Sequence, residues 1–99
     1  MAVPDQIKET TITTVSVPDA TYHPALAADP DRILLIIHND GGVDFWLAIN
    51  STAPVAKATM VKYTGSERHV YFTTHVPIED VYIYTDDGPV NFVIEYASR

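Results

Sequence analysis

The chain has 99 residues, with 6 basic and 13 acidic side chains, a formal net charge of −7 and no cysteine. That length holds a single core, the charge repels phosphate backbones and anionic lipid surfaces, and the missing thiols exclude disulfides, thiolate metal sites and cysteine nucleophiles. The cations Lys8, Arg32, Lys57, Lys62, Arg68 and Arg99 are scattered, with no two adjacent. No basic stripe offsets the acidity, so neither nucleic acid nor a membrane is an expected partner.

Residues 1–10 are polar, carry Pro4 and lack the charged and apolar regions of a secretory signal. They read as an extended arm ahead of one domain spanning residues 11–99. Val3, Pro4 and Ile7 are the arm's candidate contacts with a neighbouring molecule, and the expectation is a protein made in the cytoplasm and not secreted. Residues 11–17, TITTVSV, have the β-branched composition of an edge strand, with Ile12 and Val15 on opposite faces. Residues 19–31 carry Pro24, Pro30, four alanines and three aspartates. That composition predicts a loop with at most one helical turn near residues 25–28, either a crossover between two sheets or a functional surface.

Residues 32–50, RILLIIHNDGGVDFWLAIN, carry the strongest signal in the chain. An apolar run over 33–37, the turn-forming Asn39-Asp40-Gly41-Gly42, and an alternating segment over 43–49 predict a hairpin. Val43, Phe45, Leu47 and Ile49 share one face of its second strand, with Asp44, Trp46 and Ala48 on the other. Further strands are predicted over 58–63, 68–74, 81–85 and 90–96, separated by Pro54, the turn at 64–67, Pro77 and the turn at 86–89. About seven short strands with no helical period longer than a turn define an all-β fold: an antiparallel β-sandwich or jelly-roll-like barrel.

No residue pattern announces a reaction. His23, His38, His69 and His75 lack close ligand spacing and read as surface or interface groups, not as a metal site. Asp29-Pro30-Asp31 and Asp86-Asp87-Gly88 lack the alternate-residue oxygens of a calcium loop. Glu79-Asp80, Ser16, Ser51 and Ser66 have no glycine-flanked elbow and no base placed for them. Neither an enzyme nor a cofactor is expected. Trp46, Tyr82 and Tyr84 lie opposite the apolar face of their strands and are the candidate interface residues of the domain. They are either displayed as an interface or sugar-binding platform, or buried in a secondary core.

Arg32 leading the apolar strand to His38-Asn39, a hairpin into an aromatic strand and a closing strand over 93–96 resemble the small β-sandwich virion proteins of tailed bacteriophages. In that family an Arg-x-x-apolar-x-apolar-x-Asn strand is followed by a short hairpin and a meander. The likeness covers about residues 32–97; the long 19–31 loop and the acidity are not part of it. It implies a head decoration or cement protein, a homo-oligomer with the trimer favoured, bound to the major capsid protein or another virion protein on the capsid surface. A neck, tail or fibre component is the less frequent implication. An arm that adds a strand to a neighbour fits this reading, and a lectin-like carbohydrate or host-recognition module is the alternative.

Overall fold

The computed structural model of the chain describes residues 10–99, so Val3, Pro4 and Ile7 lie outside the described residues. Eight strands follow one another: β1 (Thr11–Val17), β2 (His23–Leu26), β3 (Arg32–His38), β4 (Phe45–Ile49), β5 (Val61–Tyr63), β6 (His69–Phe72), β7 (Val81–Tyr84) and β8 (Val90–Ser98). β1 pairs with β8, β2 with β7, β3 with β6 and β4 with β5, all antiparallel. The first half of the chain thus folds back on the second as one long ribbon. Two more antiparallel pairings, β3 with β8 and β4 with β7, roll that ribbon up. The products are two four-stranded sheets, the first ordered β1-β8-β3-β6 and the second β2-β7-β4-β5. This is the strand order of a jelly roll.

The chain is therefore the all-β antiparallel sandwich that its patterning predicts, with eight strands instead of about seven and without closure into a barrel. β5 and β6 end their sheets on the same side and do not pair. An apolar groove of about 240 Å³, lined by Leu47, Ile49, Val61, Tyr63, Phe72 and Pro77, opens there.

The hairpin expected over residues 32–50 is a corner between sheets. β3 belongs to the first sheet and β4 to the second, because both strands bury a face in one shared core: Leu35 and Ile37 from one layer, Phe45 and Leu47 from the other. Asn39 holds the corner. It is fully buried, its Nδ2 donates to the Val43 carbonyl at 2.7 Å, and its backbone N–H donates to the Arg68 carbonyl at 2.8 Å. Gly42 supplies the left-handed φ of +64° that the corner needs.

Two other expectations change. Residues 19–31 contain β2 and no helical turn, since pairing with β7 outweighs the weak helical preference of a few alanines. Pro24 is tolerated because β2 is an edge strand. The strand expected over 58–63 shrinks to β5, preceded by a turn of 3-10 helix at Lys57–Thr59. β1 is an edge strand, as its composition predicts.

Within the core, the Phe45 ring meets Phe92 edge-on at 5.0 Å and stacks on Tyr63 at 5.2 Å. Val17, Leu35, Ile37, Val81, Ile83 and Ile94 complete it, each fully buried. One charged group is also buried. A bulge in β3 between Arg32 and Leu34 shifts the alternation, so Arg32, only 3% exposed, turns in together with Leu35 and Ile37. Its Nη1 donates to the carbonyls of Pro77 at 2.7 Å and Glu79 at 3.2 Å, and its Nη2 to that of Ala27 at 2.7 Å. Those carbonyls belong to segments flanking β2 and β7, so one guanidinium starting a strand of the first sheet fastens the second sheet to it. Burial lowers the Arg32 pKa, with Asp29 and Asp80 opposing it, and a guanidinium stays charged regardless.

Candidate functional site

The chemistry-bearing side chains gather on the two outer faces of the sandwich. On the second sheet, Trp46 sits opposite Tyr84 and Ala48 opposite Tyr82, which brings Trp46, Tyr82 and Tyr84 onto one outer face. Their fates differ. Tyr84 is 8% exposed, covered by Tyr22 at 4.8 Å and by Trp46, whose ring meets it edge-on at 5.8 Å. Trp46 and Tyr82 are half-buried. The sequence left display and burial open, and the face does some of each.

A cation closes part of this platform. Lys57, carried by the 3-10 turn, puts Nζ 4.5 Å from the Trp46 ring centre and 5.4 Å from that of Tyr84, while donating to Asp86 at 2.9 Å. Lys62 reaches the Trp46 ring from β5 at 5.4 Å. Tyr84 donates its hydroxyl proton to Asp86 at 3.0 Å. These bonds hold the Asp86 carboxyl below the usual aspartate range, through Lys57 first and Tyr84 second. They also raise the pKa of Lys57 and of Tyr84, in each case chiefly through the Asp86 hydrogen bond. A planar ligand stacking on Trp46 would have to displace the ammonium that already lies over the ring.

The outer face of the first sheet is different, and sequence reasoning did not single it out. Register places Ile12, Glu95, Ile36 and Tyr71 in one row across β1, β8, β3 and β6, and Thr14, Val93, His38 and His69 in the next. Ile12 is 64% and Tyr71 60% exposed, with Ile36 and Val93 half-buried between them. The signals were present: Ile12 falls on the opposite face from Val15, and Tyr71 is out of phase with Val70. What sequence alone lacks is the order of the strands, which sets residues so distant in the chain side by side.

The outer edge of β1 carries no paired strand among the described residues, which leaves backbone groups able to accept another strand. Comparison of the chain with protein-family models, with curated proteins and with solved structures finds no match. The fold and these surfaces define a jelly-roll sandwich with exposed apolar side chains set among Glu95, His38 and His69 on the outer face of one sheet and a cation-capped aromatic face on the other.

Proposed function

We propose that this chain is a non-enzymatic structural protein of a tailed-phage virion, a decoration or cement subunit that binds the outside of the head and stabilises it. The observation that carries the reading is the outer face of the first sheet. Ile12 and Tyr71 are solvent-facing large apolar side chains beside Ile36 and Val93, on a small protein of net charge −7. Exposed apolar surface flanked by polar groups marks association, and the edge of β1, which pairs with no strand among the described residues, adjoins it. Jelly-roll architecture recurs in capsid proteins, an analogy at the level of fold alone.

The test mixes the protein with heads that lack it and pellets them. The wild type co-sediments, the Ile12→Asp/Tyr71→Asp double variant stays in the supernatant with its circular dichroism unchanged, and removal of residues 1–10 weakens attachment. A wild type that never sediments with heads overturns the reading. Light scattering on the purified protein tests the accompanying expectation of a homotrimer.

The half-buried Trp46 beside Tyr82 favours one second reading, a carbohydrate-binding module. It requires acrylamide quenching of Trp46 that a glycan suppresses. Lys57 over the ring counts against it.

A further inference from the structure

We propose that His38 and His69 form a binding site for a divalent transition-metal ion, copper(II) most tightly, on the outer face of the first sheet. The two residues sit opposite each other on β3 and β6, with their Nδ1 atoms 2.9 Å apart. The other ring nitrogen of His38, Nε2, lies 3.4 Å from Oε1 of Glu95 on β8. This network assigns the tautomers. A carboxylate only accepts, so in the neutral pair Nε2 of His38 carries the proton and its Nδ1 presents a lone pair. The bond between the rings is then donated by Nδ1–H of His69. One proton lies between two imidazole nitrogens directed at it, and a metal ion can take its place.

The spacing needs little adjustment. Metal–nitrogen bonds of about 2.0 Å at cis positions of the square-planar or tetragonal arrangement that copper(II) takes set two nitrogens about 2.8 Å apart, close to their present 2.9 Å. Both rings stand on an open sheet face, His69 exposed and His38 half-buried, so they can turn to aim both Nδ1 atoms at one ion instead of at each other. On binding, His69 releases its Nδ1 proton and takes one on Nε2, which leaves the proton count unchanged. Glu95 behind the Nε2–H of His38 is the partner that orients a metal-binding imidazole and raises its basicity. Among the described residues no three histidine, aspartate or glutamate side chains form a metal-holding group, so water completes the coordination. Imidazole ligands suit copper, nickel and zinc, and the general order of affinity places copper(II) first. The histidines are 31 residues apart, a separation no ligand-spacing rule connects.

The test titrates the purified full chain with copper(II) sulfate, nickel(II) chloride and zinc(II) chloride by calorimetry, with electron paramagnetic resonance of the copper form. The expected result is one ion per chain, copper tightest, with the hyperfine pattern of two imidazole nitrogens. His38→Ala and His69→Ala each abolish uptake with unchanged circular dichroism, whereas His23→Ala and His75→Ala leave it intact. Glu95→Gln lowers affinity about 10–100-fold. The site is overturned if the wild type takes up no copper saturably or if uptake persists in either the His38 or the His69 variant, and unchanged affinity in the Glu95 variant overturns the orienting role of that residue.

Discussion

Arg32 places a positive charge in the interior with three carbonyls as its hydrogen-bond acceptors. Replacing it with methionine keeps apolar bulk but removes all three hydrogen bonds, two of them to the carbonyls of the exposed Ala27 and Glu79 that water can reach, and a lost hydrogen bond to a charged group costs about 1.5–3 kcal/mol. Arg32→Met is therefore expected to lower unfolding stability by about 1–3 kcal/mol in urea titration. Arg32→Lys should not restore it, because a single ammonium cannot reproduce the guanidinium fork. The aspartates give a second prediction at this scale. Asp86 is held low by Lys57 and Tyr84, and Asp29 by the Ser98 hydroxyl and then the Asp31 N–H. Carboxyls with depressed folded-state pKa values add stability above their unfolded pKa and lose it as pH falls through the folded one. Stability should thus drop below about pH 4, and Asp86→Asn or Asp29→Asn should flatten that limb in urea midpoints measured against pH. In the sequence the Arg-x-x-apolar-x-apolar-x-Asn spacing was legible. Its reason was not, since a one-residue bulge puts Arg32 on the buried face with Leu35, Ile37 and Asn39.

At the level of strands, burial separates residues that composition treats alike. Phe92 is fully buried in the centre of the first sheet, and Phe92→Ala should cost about 3–5 kcal/mol. Ile12, on the outer face of the edge strand of that sheet, should change stability by no more than about 0.5 kcal/mol on replacement by threonine; equilibrium denaturation of the two variants gives the contrast. Period-two alternation made β4, β7 and β8 readable, and β-branched composition β1. β2 was not, because His-Pro-Ala-Leu carries no strand pattern and becomes a strand only against β7. The corner over residues 39–44 was misread as a hairpin turn for a related reason: its turn chemistry is local, while the choice of sheet depends on the core that both strands share. The aromatic trio was found in the sequence, but the lysine over it comes from a separate turn and leaves no trace in the spacing.

For the whole molecule, nested pairing means that contacts join distant parts of the chain, from Thr11 with Tyr96 to Val17 with Val90. Sandwiches built from such non-local pairs fold in about milliseconds to seconds. Stopped-flow refolding followed by Trp46 fluorescence should fall in that range, not in microseconds. The sequence established the class of fold through its alternation and turn residues. Strand order, and with it the make-up of the two outer faces, required the three-dimensional pairing.

The same nesting sets a constraint on biosynthesis. β8 lies inside the first sheet, between β1 and β3, and it is the last of the eight strands to emerge from a ribosome. Until it has cleared the exit tunnel, β1 has no partner in its own sheet and the Phe45 ring has no Phe92 to meet. A nascent chain whose β8 is still in the tunnel holds Leu35, Ile37 and Phe45 without the Phe92 and Ile94 that share their core, so the sandwich closes only once β8 has emerged.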